Sequence, residues 1–157
     1  MMIDVAIQAF RKTTLFGHLG DEYLGVIAGM AEEKAFSRED YIFREGDNGD
    51  GFYLILQGRV RISRQISGMG EEALTILESG NYFGEMALID DQPRSADAIA
   101  QEKSRLLFLK TQDLQDLLFV DKSIAYEVLW SFVRTLSGRL RETSDKLTFL
   151  TVSSKFG

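Results

Sequence analysis

The sequence contains no cysteine, one histidine (His18) and one proline (Pro93). Without cysteine there is no disulfide framework, thiol nucleophile, iron–sulfur cluster or cysteine-ligated zinc. A single histidine excludes metal sites built on two or three imidazoles. A Ser-His-Asp triad would have to use His18, and no serine motif accompanies it. His18 lies in Leu15-Phe16-Gly17-His18-Leu19, near a turn, and reads as structural or solvated. No apolar run approaches the roughly 18 residues needed to span a membrane. Asp4 and Gln8 interrupt the N-terminus where a secretory signal would be apolar, so the expected compartment is the cytoplasm. Positive charge is short as well: 18 Lys and Arg face 24 Asp and Glu, a net charge of −6 at pH 7. That balance argues against long-range attraction to nucleic acid or to anionic membrane.

What remains is enough for one core. The 157 residues are 45% hydrophobic and 11% aromatic, and no Ser/Gly/Pro-rich linker, repeat or low-complexity tract divides them. A single domain over residues 1–157 is the simplest reading. The first 30 or so residues suggest helix, with Val5, Ala6, Ala9 and Phe10 on one apolar face. A second stretch opens at Asp21, a candidate N-cap, and carries Leu24, Ile27, Ala28 and Met30. From about residue 33 to 110 the texture changes to short β-favouring runs: Phe52 to Leu56, Val60 to Ser63, Leu74 to Leu77 and Arg105 to Leu109. Corners such as Gln57-Gly58, Gly68-Met69-Gly70 and Ser79-Gly80-Asn81 separate them. The pattern predicts an α+β chain built on an antiparallel β-roll of the jelly-roll (double-stranded β-helix) kind, with N-terminal helices and a long C-terminal helix.

After Thr111, a candidate cap for a short helix through Phe119, a second helix is expected from about 121 to 152. Along it Leu129, Val133, Leu136, Leu140, Thr143, Leu147 and Leu150 alternate in steps of four and three. That is an a/d seam with Thr143 as its polar member. It fits either packing on the roll or a parallel two-helix seam between subunits, the latter making the chain a homodimer. Ala125, Val128 and Phe132 form a second stripe able to hold the helix on the roll. Trp130 reads as core or helix-packing surface close to the pocket.

Residues 82–96 carry the chemistry. Gly84 permits a tight backbone after a strand, and Glu85-Met86-Ala87-Leu88 can form one helical turn whose free N–H groups suit an anion. Nine residues after Glu85 stands Arg94, stiffened by Pro93 and followed by the hydroxyl of Ser95. A guanidinium can grip a phosphate while a carboxylate accepts from a sugar hydroxyl. On chemistry alone, a Glu85–Arg94 salt bridge closing the loop is the commoner alternative.

The cassette Phe83-Gly84-Glu85-Met86-Ala87-Leu88 … Pro93-Arg94-Ser95-Ala96 closely resembles the phosphate-binding cassette of cyclic nucleotide-binding domains. Such domains occur in bacterial catabolite activators, kinase regulatory subunits and nucleotide-gated channels. Arg44-Glu45-Gly46-Asp47 and Phe52 through Val60 look like the family's roll strands and corners, and the likeness covers roughly residues 15 to 150. It implies a short phosphate-binding helix at Gly84 and Glu85, with Glu85 on the ribose 2′-hydroxyl and Arg94 on the cyclic phosphate. The Met86 and Ala87 amides would donate to that phosphate, and Ser95 would contact phosphate or guanine. Ile62 and Leu74 would wall the purine, or serve as ordinary core. Leu140-Arg141-Glu142-Thr143-Ser144-Asp145-Lys146 is similar to the catabolite activator's central helix. By that likeness Thr143 reads adenine in its own subunit and Ser144 the partner's, which favours cyclic AMP and leaves cyclic GMP possible through Ser95. Otherwise Thr143 sets helix register and Ser144 is solvated.

Two departures limit the likeness. The Glu85–Arg94 spacing is one residue shorter than in the catabolite activator and equals that of the kinase subunits. Nothing through Gly157 looks like a basic recognition helix, so no direct DNA binding by this chain is expected. The expected function is therefore a non-enzymatic cyclic nucleotide sensor without cofactor, passing a change of helix or dimer geometry to an unknown effector protein. The alternatives are the sensory part of a transcription regulator, a cupin-type enzyme (opposed by the lone histidine) and a dimerisation module that binds nothing. Haem- and iron–sulfur-binding relatives need ligands absent here.

Overall fold

The computed structural model describes residues 3–156. Helices α1 (Ile3–Arg11) and α2 (Asp21–Met30) lead into eight strands: β1 (Glu32–Phe36), β2 (Tyr41–Phe43), β3 (Gly51–Gln57), β4 (Val60–Ile66), β5 (Gly70–Leu77), β6 (Tyr82–Phe83), β7 (Asp97–Ala100) and β8 (Ser104–Lys110). A 3-10 helix, Glu85–Leu88, lies between β6 and β7, and helices α3 (Thr111–Val120) and α4 (Lys122–Phe156) complete the fold. The strands form two antiparallel four-stranded sheets, ordered β1-β8-β3-β6 and β2-β7-β4-β5. The architecture is the antiparallel roll with N-terminal helices and a long C-terminal helix.

Strands β3 and β8 explain why two of the sequence's apolar runs are unbroken. Their side chains alternate between two cores, as strand periodicity requires. Phe52, Leu54, Leu107 and Leu109 face the helices, with Phe10, Phe16, Leu24, Val128 and Phe132. Tyr53, Ile55, Leu106 and Phe108 face the roll interior, with Val60, Phe83 and Ala98. A sheet covered on both faces needs apolar residues at every position. Phe10, Phe16 and Phe52 meet at centroid distances of 5.4 to 6.3 Å, joining α1 and the loop after it to β3.

The helix starts differ in part from expectation. Gly20, not Asp21, occupies the N-cap of α2, with no side-chain bond. Lys110 holds that position for α3, and the Thr111 hydroxyl instead donates to the Ala87 carbonyl at 2.9 Å. Asp121 does cap α4, accepting from the Ser123 and Ile124 amides at 3.1 and 3.2 Å. In α1, Ala6 and Phe10 are buried while Val5 is exposed.

Helix α4 is 35 residues long, about 50 Å at 1.5 Å per residue, and runs past the expected end at 152. Ile124, Ala125, Val128 and Phe132 hold its first half on the roll, and the Ser131 hydroxyl donates to the Thr14 carbonyl at 2.9 Å. From Glu142 to Lys155 every described side chain is exposed. The seam residues Leu129, Val133, Leu140 and Leu147 are between 51% and 68% exposed, so they are not the face that packs on the roll. No helix among the described residues is long and apolar enough to cross a membrane.

Candidate functional site

Chain reversals bring the 3-10 helix and the stretch before β7 together with Phe43 of β2, Ile62 of β4 and Phe83 of β6 around one cavity. The cavity has a volume of about 340 Å³ and is lined by Phe43, Ile62, Phe83 to Ala87, Asp90 and Gln92 to Ala96. That is within the ordinary size of a small-molecule pocket. Gly84 turns the backbone at φ +75°, allowing the chain to leave β6 and enter the 3-10 helix. Gly49 backs onto that helix so closely that a Cβ there would lie 2.7 Å from the Ala87 Cβ.

Arg94 is the centre of the construction, with a relative exposure of 7%. Nη2 donates to the Gly51 carbonyl at 2.7 Å and to Asp50 Oδ1 at 3.1 Å, and Nη1 donates to the Gly84 carbonyl at 3.2 Å. The guanidinium lies 4.1 Å over the Phe43 ring. Its backbone is held as well: Arg94 N–H donates to the Asp47 carbonyl, and Gly46 N–H to the Arg94 carbonyl, both at 2.8 Å. Nε is buried without a hydrogen-bond partner among the described residues. A buried cation whose only carboxylate partner among the described residues, Asp50, is itself largely exposed is a costly arrangement. An anion entering the cavity would find a guanidinium already oriented and incompletely satisfied.

Glu85, also buried at 9%, does not pair with Arg94. The loop-closing salt bridge suggested by chemistry alone is therefore absent: Arg94 turns to Asp50 and two carbonyls, and Glu85 accepts from Arg139 of α4. The Arg139 guanidinium lies 5.4 Å from the Tyr82 ring centroid, and the Tyr82 hydroxyl shares a hydrogen bond with Thr14. Glu85 is thus the junction between cassette and long helix.

The structure brings Gly84, Glu85, Met86, Ala87, Arg94, Ser95 and Ile62 around the same cavity. Ser95 is exposed at its edge, and the Ala87 N–H already donates to the Gly84 carbonyl at 3.2 Å. Leu74, Thr143 and Ser144 do not line it. In the β4–β5 ladder Ile62 faces Thr75 and Ser63 faces Ala73, so Leu74 is the unpaired residue of a bulge and is 55% exposed. Thr143 and Ser144 are exposed on α4. Thr143 sits one helical turn beyond Arg139, on nearly the same side, and Ser144 is turned a further 100°. Trp130 is 45% exposed and does not line the cavity either.

Phe43, Asp50, Gly51 and Arg139 escaped the sequence reading. Arg139 carried a usable signal, since it stands four residues before Thr143 and shares its helix face. Asp50 and Gly51 gave no signal, because their partner is 44 or 43 positions away. The lining offers a guanidinium, two carboxylates (Glu85 and Asp90), a hydroxyl and apolar walls. These can bind and orient a small ligand bearing both an anion and a hydroxyl.

Comparison with known proteins gives that class of small-ligand-binding roll a family. Residues 33–121 match the family model of the cyclic nucleotide-binding domain, and the chain belongs to that family. It is 33% identical over 140 residues to the cyclic AMP receptor protein of Thermus thermophilus, covering 89% of this chain and 63% of that protein. It is 35% identical over 96 residues to a cGMP-dependent protein kinase of Caenorhabditis briggsae, covering 60% of this chain and 13% of the kinase. The chain thus spans less than two thirds of either relative. Among solved structures it is similar to the N-terminal domain of a transcriptional regulator from Streptomyces coelicolor A3(2). That comparison has a TM-score of 0.77 and 32% identity, and covers 88% of this chain and 94% of that one.

Proposed function

We propose that this chain is a non-enzymatic sensor of 3′,5′-cyclic nucleotides, with cyclic AMP preferred to cyclic GMP. The observation that carries the reading is Arg94: a buried, pre-oriented guanidinium beside a cavity that also holds the carboxylate of Glu85. In this reading Arg94 takes the cyclic phosphate, aided by the Met86 amide, by Ser95 and by the Ala87 amide, which would exchange the Gly84 carbonyl for the phosphate. Glu85 accepts from the ribose 2′-hydroxyl, and Ile62 walls the purine. The preference for adenine rests on Thr143 and Ser144, which would meet the base only once α4 closes over the cavity, Ser144 from a second subunit. Leu74, on β5, would join the purine wall only by a separate inward movement of the β4–β5 hairpin.

The Glu85–Arg139 contact supplies a physical route for the signal. A ligand hydroxyl competing for Glu85 alters what holds α4 to the cassette, and helix or dimer geometry shifts by the difference in affinity between the two states. Titration calorimetry with cyclic AMP and cyclic GMP tests the base reading. Tighter cyclic AMP binding, with the preference reduced about tenfold or more in Thr143→Ala, is the expected result. Tighter cyclic GMP binding would move base selection to Ser95.

A second reading is favoured by the Streptomyces relative, which is the N-terminal domain of a transcriptional regulator. In it the same sensor serves a DNA-binding protein, tested by ligand-dependent operator binding of the polypeptide as the cell makes it.

A further inference from the structure

A groove outside the cassette joins the loop after α1, Tyr82 of β6 and the middle of α4. It has two lobes of about 450 and 400 Å³ that share Thr14, Tyr82 and Arg139. One lobe adds Arg134, the other Lys12. Neither of these two forms an ion pair with any described residue. Two cations without an ion pair, together with Arg139, which is already paired with Glu85, therefore face one lining carboxylate, Glu142, on a chain whose net charge is −6. Neutral donors accompany them. The Asn81 carbonyl oxygen is occupied by the Glu78 amide at 2.9 Å, which leaves its NH₂ group to donate. The groove wall is fixed, since Tyr82 bonds Thr14, and Ser131 bonds the Thr14 carbonyl.

We propose that this groove is a second, anion-binding site that takes a small ligand with two linked phosphoryl groups, of the diphosphate class. An unpaired cation in each lobe, with Arg139 between them, matches two anionic ends rather than one. Guanidinium and ammonium groups flanked by hydroxyl and amide donors suit phosphate oxygens. The acidic remainder of the chain disfavours a long polyanion. Because Arg139 also reaches Glu85, occupation of the groove is coupled to the cassette, and the coupling is reciprocal. The groove assignment uses none of the cassette's anion-binding residues and stands apart from the cyclic nucleotide reading.

The test is titration of the whole chain with sodium pyrophosphate against sodium chloride of matched ionic strength. It is followed by calorimetry and by fluorescence of Trp130, the chain's one tryptophan, over whose ring the Arg134 guanidinium lies at 5.6 Å. Saturable binding is expected, weakened about tenfold in Lys12→Ala or Arg134→Ala and kept in Arg94→Ala. Both groove side chains are exposed, so these variants retain the fold. Absence of binding, or binding that neither groove variant changes, overturns the proposal. Loss in Arg94→Ala with retention in the groove variants would put the anion in the cassette, overturning the groove while leaving the cyclic nucleotide reading intact.

Discussion

At Gly84 a Cβ would stand 2.6 Å from Arg94 Nη1, and the backbone there lies at φ +75°. Gly84→Ala therefore combines left-handed strain with displacement of the guanidinium. We expect a stability loss of about 1–3 kcal/mol in urea denaturation, with weaker nucleotide binding by calorimetry; unchanged affinity would mean Arg94 is not held as described. Tyr53 makes a different prediction. Burial in the roll interior pushes its phenol from the ordinary 10.0 up to about 12. The native state then keeps a proton that the unfolded chain releases, so stability falls as pH rises from 10 to 12. The fall should be about 2 kcal/mol and should be absent in Tyr53→Phe, read from denaturation midpoints at each pH. At this scale the sequence was informative where a short cassette concentrates the chemistry. It was silent on Asp50 and Phe43, which reach Arg94 only through the fold.

Elements were legible where their sequence carries a run of β-favouring residues or a helical stripe, whether buried like β3 and β8 or exposed like β5. The runs Phe52 to Leu56 and Arg105 to Leu109 lie inside β3 and β8, which stand between the two cores. Strand β1 reads Glu-Glu-Lys-Ala-Phe, has no buried residue, and lies at a sheet edge, so its sequence carries little periodic signal. Helix α4 was legible as two stripes, and the stripe of Ala125, Val128 and Phe132 is the one that packs. Its ion pair with the cassette could not be read as a pair, because Arg139 and Glu85 are 54 residues apart. Arg139→Ala should raise amide exchange in α4 beyond Gly138 and in the 3-10 helix, at a global stability cost below about 1 kcal/mol. Exchange identical to the unaltered chain would show that the ion pair does not tie the helix to the cassette.

At the scale of the whole molecule, the projecting half of α4 presents an apolar seam that the roll does not cover. A second copy of the chain, pairing in parallel, would bury it. Sedimentation equilibrium should give a dimer, and Leu140→Glu combined with Leu147→Glu should give a monomer whose circular dichroism still reports an intact roll. A monomeric unaltered chain would remove Ser144 from base recognition. The central claim is simpler than the assembly: the cavity beside Arg94 receives a cyclic nucleotide. Calorimetric titration of the purified chain with cyclic AMP, with Arg94→Ala alongside, tests it most directly. Saturable binding is expected, falling by about a hundredfold or more when the charged hydrogen bonds of Arg94 are removed. A folded chain that takes up neither cyclic AMP nor cyclic GMP, or an Arg94→Ala variant that binds as well as the unaltered chain, would contradict it.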